Sequence, residues 1–416
     1  MKRANSILVI ILLMMTGCGE GSKQTTNDFI TVDVTHSYST KELILQDFMD
    51  VEYVALETAD EFLCQGLVLD IGKEIMIVRN QINDGDIFHF DRKGKGLRKI
   101  NRRGQGPEEY MSIMGITLDE DNGEMFVRDF GKGIMVYDLN GKFLRRLSLR
   151  EDFSYMLFKN YDSDHLICGD SHVPVDEKST ESHPCVIISK QDGSIVNDIR
   201  IHIKQGVNTR VNVSVAGFIP LLSGFVKSFI HYHDDWIITE LSSDTIFRLL
   251  PDLNMIPFMA RTPSVHSMNP EIFLHPVILT KRYYFMETIK KEYDSSIPES
   301  YPRKKLIYDR QEKTIHQYTV CNNDYTTPKA VDFSLRTAYS MNKEITFWQK
   351  LEAYELVEAY EKGQLKGQLK EVAAKLDADS NPVIMLVKYK KLLIHFGQVD
   401  FSTISLLTTG PISIAC

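Results

Sequence analysis

The sequence predicts an all-β protein, a six-bladed β-propeller whose blades are four-stranded antiparallel sheets. One observation is a repeat, because five hairpin-like segments follow one another along the chain. Their turns lie 47, 53, 60 and 58 residues apart, at Asp91, Asp138, Gln191, Pro251 and Asp309. The other observation is that the last repeat lacks its fourth strand, while a strand without a partner precedes the first repeat. A β-sandwich explains neither feature, and helical solenoids have shorter, helix-rich repeats.

Each repeat supplies two strand pairs. In the first half, apolar runs flank a short polar turn, which is typical of adjacent antiparallel strands. These first halves are 66–80, 115–129, 156–170, 225–240, 277–289 and 331–348. In the second half, an alternating run again crosses a polar turn, which is the signal of a hairpin. These second halves are 86–100, 133–147, 185–201, 244–259 and 304–320.

The sixth repeat is expected to contain a helical insertion at about 346–377. Apolar residues recur there at helical spacing, and Gly363 and Gly367 divide the segment into two helices. The β-rich run 383–390 then forms the third strand of blade six. Pairing it with VEYVALE at 51–57 would close the ring and remove an open sheet edge. The propeller is therefore predicted to extend over 47–391.

The N-terminus has the pattern of an export signal. Lys2 and Arg3 precede an apolar run that is too short to cross a bilayer comfortably. The run Met-Thr-Gly-Cys that ends at Cys18 resembles a bacterial lipobox, whereas an ordinary cleaved signal peptide needs no cysteine there. We therefore predict a signal peptide at 1–17, a lipidated Cys18, and a tether that extends to residue 46.

The net charge argues against nucleic-acid binding and bears on how the protein is attached to the membrane. The net charge of −8 argues against a nucleic-acid partner, because phosphate-binding proteins usually carry a basic excess. Cleavage leaves 416 − 17 = 399 residues and removes two basic residues, so the mature net charge is −10. Such a protein is repelled by anionic head groups, so acyl chains on Cys18 are expected to attach it to the membrane.

The polar cluster that follows the first blade is the most distinctive candidate site. Gly104 and Gly106 permit unusual backbone angles in the sequence NRRGQGPEEY. One reading is a crossover between blades in which Tyr110 packs on its neighbour. The other is that charged side chains border a ligand-binding face. The candidates for this role are Arg102, Arg103, Glu108, Glu109 and Asp129.

Other chemistry has weaker support. His231 and His233 would share one face of a strand, but no third ligand is visible and His-Asp-Asp also fits a turn, so we predict no metal site and no cofactor. Cys168 and Cys185 are open to two readings, a disulfide or isolated buried thiols. No nucleophile elbow, phosphate loop or kinase signature occurs.

Several segments together resemble the six-bladed β-propeller lipoproteins of Bacteroides and relatives, which are NHL-like. They are DFMDVEYVALET (47–58), FDRKGKGLRKINRRGQGPEEY (90–110), LDEDNGEMFVRD (118–129), VYDLNGKFLRRL (136–147), LSSDTIFRL (241–249) and NPVIMLVKYK (381–390). The resemblance implies the fold, lipidation and an envelope location, but no catalytic mechanism. It ends near residue 391, so 392–416 is predicted to be an atypical extension.

We therefore expect a monomeric, lipid-anchored envelope propeller that binds or scaffolds an envelope protein or a small ligand, glycan or peptide. The loops of all blades would meet around one axis, where a ligand would bind. The alternative is a propeller enzyme of the lactonase, lyase or hydrolase type, with or without a metal. That alternative rests on analogy between folds, which is a weak argument for function.

Overall fold

The computed structural model describes residues 29–151, 153, 155, 157–169, 176–209, 228–297, 300–334 and 343–390. The predicted signal peptide, Cys18 and the predicted extension 392–416 lie outside these residues. The described strands form six sheets, and in five of them four consecutive strands pair in antiparallel order. The predicted six-bladed β-propeller is confirmed.

Blades one to three are simple four-stranded meanders. Blade one contains β4 (Leu67–Ile71), β5 (Ile75–Arg79), β6 (Asp86–Asp91) and β7 (Gly96–Asn101). Blade two contains β8 (Gly115–Asp119), β9 (Glu124–Asp129), β10 (Gly133–Asp138) and β11 (Phe143–Arg146). Blade three contains β12 (Leu157–Asn160), β13 (His165–Gly169), β14 (Glu181–Ser189) and β15 (Ile195–His202).

Blades four and five each have an additional outer strand from the N-terminus. Blade four contains β16 (Phe229–Tyr232), β17 (Asp235–Ile238), β18 (Thr245–Leu249) and β19 (Met255–Thr262), and β1 (Ile30–Asp33) pairs with β19 in parallel. Blade five contains β20 (Ile272–Leu279), β21 (Tyr283–Lys290), β22 (Arg303–Asp309) and β23 (Thr314–Asn322). β2 (Thr40–Ile44) pairs with β23 in parallel, and the short β24 (Lys329–Val331) also pairs with it.

The N-terminal strands correct one boundary. The tether was predicted to extend over 18–46, but β1 and β2 lie within that range and belong to the sheets. Each covers the outer edge of a blade, where backbone groups would otherwise lack partners. The part of the predicted tether that precedes residue 29 is outside the described residues.

Blade six closes the ring. β25 (Ile345–Leu351), β26 (Val383–Tyr389) and β3 (Met49–Ala55) form its described part, and residues 335–342 are outside the description. β26 and β3 pair over seven residues in antiparallel order, with Ile384 opposite Val54. The predicted closure by the N-terminal strand is therefore confirmed. The short helix α1 (Leu45–Phe48) precedes β3 directly.

The prediction of a helical insertion at about 346–377 is wrong for the first part of that segment. Residues Ile345–Leu351 form β25, because they gain a strand partner in β26. Two short helices follow, α2 (Ala353–Glu361) and α3 (Gly367–Ala373), with Gly363 at a positive φ between them. No helix in the described part of the chain is long and apolar enough to cross a membrane.

The hydrophobic core is divided among the contacts between neighbouring blades, since successive side chains of a strand point to opposite sides of the sheet. β5 illustrates the division. Met76 and Val78 pack in one cluster with the closing strands of blade six, whereas Ile77 between them packs in the cluster shared with blade two. All three side chains are buried.

Antiparallel order places the connections of each blade at alternating ends of its strands. One end, the short-turn face, carries the turns 72–74, 92–95, 120–123, 139–142, 161–164, 190–194, 233–234, 250–254, 280–282 and 310–313. The opposite end, the long-loop face, carries the described connections 56–66, 80–85, 102–114, 130–132, 239–244, 263–271 and 352–382. Loops are the usual carriers of function, which directs attention to the second face.

Candidate functional site

The predicted polar cluster is the crossover 102–114, which leads from the outer strand of blade one to the inner strand of blade two. Tyr110 is fully buried at its centre, and its ring meets that of Tyr137 edge to face at 5.8 Å. Its hydroxyl donates to the carbonyl of Gly85 at 2.8 Å and accepts from the N–H of Arg102 at 2.9 Å. The packing role predicted for Tyr110 is confirmed.

Asp129 holds this crossover from the neighbouring blade. The residue is fully buried at the end of β9. One carboxylate oxygen accepts from the N–H groups of Met111 at 2.7 Å and Ser112 at 2.9 Å. The other accepts from those of Gly131 at 2.9 Å and Lys132 at 2.7 Å. Burial alone would raise the pKa of Asp129, but these backbone hydrogen bonds outweigh it and lower the pKa.

Arg102 and Arg103 both lie on the surface. The Arg102 guanidinium donates to the carbonyl of Gly141 at 2.7 Å and so joins the crossover to blade two. Arg103 is exposed, and its N–H donates to the side-chain oxygen of Asn101 at 2.9 Å. The two side chains do not converge on one described pocket, so their predicted contact with a ligand stays a prediction.

Glu108 and Glu109 take part in the same crossover. Glu108 is exposed, and its backbone carbonyl accepts from the hydroxyl of Tyr137 at 2.8 Å. Glu109 is half-buried, and its carboxylate accepts from the N–H of Gly106 at 2.9 Å. The carboxylate of Glu109 also occupies the space that a β-carbon on Gly104 would need, so a side chain at position 104 would displace it. A ligand contact of Glu108 or Glu109 likewise stays a prediction.

An arc of exposed apolar side chains lies on the long-loop face of blades one and two. Phe130 exposes 77% of its surface and Leu63 exposes 51%. We define the apolar arc as Leu63, Leu67, Ile82, Met111 and Phe130. Exposed apolar side chains that occur together on one face indicate an interaction surface, whereas isolated ones are common.

Hydrogen bonds join the loops that carry the arc. The N–H of Gln65 donates to the side chain of Asn80 at 2.7 Å, and the N–H of Ile113 donates to the carbonyl of Ile82 at 2.9 Å. The methyl of Met111 lies 3.0 Å from the place that a β-carbon on Gly131 would take, directly beside Phe130. Loops that are joined in this way hold the arc side chains at fixed positions on the same face.

A cleft of about 500 Å³ borders the arc on the side of blade six. Leu63 and Cys64 line one wall, and Tyr354 of α2 lines another. Asn381 fixes the loop, because it donates to the carbonyls of Glu57 at 2.7 Å and Phe62 at 2.9 Å. Burial raises the pKa of the Cys64 thiol to about 11, so the thiol stays protonated at neutral pH and is a poor nucleophile.

The remaining candidates have structural roles. Cys168 and Cys185 are free, buried thiols, so the reading as isolated thiols is confirmed. His231 lies on β16 against the ring of Trp236 at 4.9 Å, and burial lowers its pKa to about 4. His233 stands in the adjoining turn. Within the described residues, no group of three His, Cys, Asp or Glu side chains could hold a metal ion.

A buried charged cluster on the long-loop side of blades four and five was missed. Arg261 pairs with Asp244 at 3.0 Å, and Arg303 pairs with Glu287 at 3.1 Å. His275 of β20 lies opposite Glu287 of β21. Burial and the nearby arginines lower the pKa of His275 to about 3. The signal in the sequence was a histidine in an otherwise apolar strand, IFLHPVIL. No described cavity opens onto this cluster.

Comparisons with known proteins agree with the fold. The family model of DUF4934, a domain of unknown function, matches residues 29–388. One solved structure is of a Bacteroides fragilis protein that is inferred to be exported. Its sequence is 14% identical, its TM-score is 0.52, and the match covers 85% of this chain and 99% of that chain. The N-terminal domain of Nup159 is 13% identical with a TM-score of 0.37 and covers 76% and 77%. No curated protein matches the sequence.

Proposed function

Since this chain belongs to the DUF4934 family, whose shared domain is of unknown function, we propose that it is an exported, lipid-anchored binding module of the bacterial envelope. Its ligand is a protein or peptide that contacts the apolar arc. The alternative of a propeller enzyme stays a prediction.

The single observation that carries the proposal is the apolar arc. Its side chains belong to four connections from two blades and to the first residue of β4, so no single loop explains their exposure. Burying them would remove apolar surface from water, which is the main favourable contribution to association. The cleft beside Tyr354 adds a concave region that one partner side chain could fill.

Location rests on two further points. The N-terminal sequence ends in the lipobox-like run before Cys18, and the Bacteroides fragilis relative in fold is described as exported. Both support an envelope location, and the lipid would keep the protein at the membrane.

The lipid anchor predicts a simple result. Cys18→Ala removes the sulfur to which the diacylglycerol would be attached, so the protein should move from the membrane fraction to the soluble fraction. Fractionation of native cells followed by immunoblotting measures this shift, and Cys64→Ala is the control because that cysteine lies inside the propeller. A Cys18→Ala protein that stays with membranes would contradict lipid anchoring.

The binding face predicts where a photo-crosslinker will react. Benzoylphenylalanine at Phe130 should give discrete adducts in intact cells, because that ring is exposed within the arc. The same group at Leu144, an exposed position on the outer strand of blade two, should give none of these bands. Adducts at Leu63 should also weaken when Met111 and Phe130 are both replaced by serine. Equal crosslinking at Phe130 and Leu144 would refute the proposed face.

A further inference from the structure

We propose that the short-turn face of blades four and five rests on an anionic phospholipid surface, so that the long-loop face with its apolar arc points away from the membrane. This inference rests on the proposed lipid anchor, but it adds an orientation that the anchor alone does not define. Three observations carry it: the direction of β1, the distance from the anchor, and the charge and apolar surface of the neighbouring turns.

The direction of β1 comes from its parallel pairing with β19. β19 is the outer strand of blade four, and it runs from the turn 250–254 on the short-turn face toward the crossover on the long-loop face. Because Ile30 lies opposite Met259 and Asp33 lies opposite Thr262, β1 runs the same way. The chain that precedes Ile30 therefore enters the propeller from the side of the short-turn face.

The distance from the lipid is short. Twelve residues, Cys18 to Phe29, separate the lipidation site from β1. Fully extended, such a segment spans at most about 40 Å. Placing the long-loop face on the membrane would require this segment to turn back against the direction of β1. Placing the short-turn face there lets the segment continue in the direction that β1 already has.

The short-turn face of blade five, next to the blade that β1 joins, is basic, although the mature protein is acidic. The basic patch consists of Lys41, Lys281, Arg282, Arg310 and Lys313. Its acidic neighbours are Asp309 and Glu312, so the patch carries a formal charge of +5 − 2 = +3.

The acids of the patch are already engaged with its own bases. The side chain of Asp309 is fully buried and accepts from Lys41 at 3.0 Å and from Arg282 at 3.0 Å. Lys281 and Lys313 are exposed on their turns, and neither forms an ion pair with Asp309 among the described residues. On blade four, Asp234 is engaged by Lys343, whereas exposed Asp252 accepts a hydrogen bond from the neutral amide of Asn254 at 2.8 Å and keeps its charge, so the two blades together carry a formal charge of +3 − 1 = +2 on this face. The excess positive charge is therefore open to solvent, where each basic residue gains from an anionic membrane surface.

Two exposed apolar side chains lie on the same side of blade four. Phe29, immediately before β1, exposes 51% of its surface, and Leu253 in the turn before β19 exposes 36%. Apolar side chains beside basic ones are the composition that suits the boundary between head groups and acyl chains. The occupant of this surface is therefore the bilayer that holds the lipid anchor.

The experiment measures orientation on vesicles. Full-length lipidated protein is reconstituted into vesicles that contain phosphatidylglycerol and a nitroxide-labelled phospholipid. A genetically encoded fluorophore is placed at Leu253 in one sample and at Phe130 in another. We expect at least twofold stronger quenching at Leu253 than at Phe130. Equal quenching, or stronger quenching at Phe130, would overturn the proposal.

Charge reversal tests the basic patch separately. Lys281→Glu with Lys313→Glu should remove at least half of the difference in quenching between the two positions. Lys370→Glu with Lys375→Glu makes the same change in net charge among exposed lysines at α3 on the long-loop face, and it should leave the difference unchanged. Equal effects of the two double variants would refute the role of the patch.

The two proposals fail in different ways. A protein that does not float with the vesicles has no lipid anchor, which is a failure of the proposed function. A protein that floats but shows no difference between Leu253 and Phe130 is anchored without the proposed orientation, which is a failure of this inference alone.

Discussion

A chain that begins at Leu56 is expected not to fold into a closed propeller. It lacks β3, so β26 would lose its outer partner over seven residues of antiparallel pairing. Val54 would also disappear from the cluster that joins blade six to blade one, where it packs with Ile384 and Phe88. An open β26 edge exposes unpaired backbone groups and invites aggregation. We expect no cooperative thermal transition and elution as aggregates.

A second truncation separates ring closure from edge protection. A chain that begins at Val34 loses β1 but keeps β2 and β3, so the ring stays closed. It should elute as a monomer and keep one transition, with the melting temperature lowered by only a few degrees. Size-exclusion chromatography and circular dichroism melts compare the two chains. A monomeric Leu56 chain with a native transition would show that β3 does not close the fold.

The sequence predicted this closure because both partners have a local signature. Residues 51–57 and 383–390 are apolar runs that lack a hairpin partner nearby. When each end of a repeat array has one strand without a partner, the two strands can pair with each other and close the ring. No long-range information was needed beyond the repeat itself.

The additional strands β1 and β2 could not be predicted in the same way. Each pairs in parallel with a strand more than two hundred residues away, and no turn links the two partners. The runs ITVD and TKELI are short and partly exposed, so their pattern resembles that of a tether. Only the free outer edges of β19 and β23 give these segments their structure.

The start of the helical segment was misread for a related reason. Trp348 and Leu351 fit a helical spacing with the residues that follow, but Ile345 and Phe347 also fit a buried strand. A short apolar run is compatible with both the helical and the strand period, and tertiary pairing decides between the two structures. Here β26 supplies that pairing, and the helix begins only at Ala353.

The candidate site shows the same limit in its chemistry. A carboxylate at the end of a strand was predicted to face a ligand, yet Asp129 is buried beneath its own loop. Its backbone partners belong to two connections, 102–114 and 130–132, which only the fold brings together. The apolar arc was missed because its members lie in separate parts of the sequence, and only the fold brings their connections to one face.

Replacing Asp129 with alanine should have the largest effect of any single substitution in this region. It removes the acceptors of four backbone N–H groups that surround a fully buried carboxylate. Each unsatisfied buried donor is costly, so we expect the free energy of unfolding to fall by about 3 kcal/mol. Denaturant titration followed by tryptophan fluorescence measures this change.

Asp138→Ala is the matched control. Its carboxylate also accepts two backbone N–H groups, from Asn140 at 2.8 Å and Lys142 at 2.9 Å, but in an exposed turn. Water can replace those contacts, so the loss should be about 1 kcal/mol or less. Similar losses for Asp129→Ala and Asp138→Ala would show that the buried amides find other partners.

The pH dependence gives an independent check on Asp129. Its pKa is lowered in the folded protein, so the ionised carboxylate contributes stability that is present above the pKa of the unfolded chain and is lost as pH falls through the folded value. Asp129→Asn cannot ionise and presents an NH₂ group to N–H donors. The stability difference between wild type and Asp129→Asn should therefore be full at neutral pH and shrink below about pH 4, near the unfolded pKa of aspartate. A difference that stays constant from pH 7 to pH 3 would mean that the charge of Asp129 does not hold the crossover.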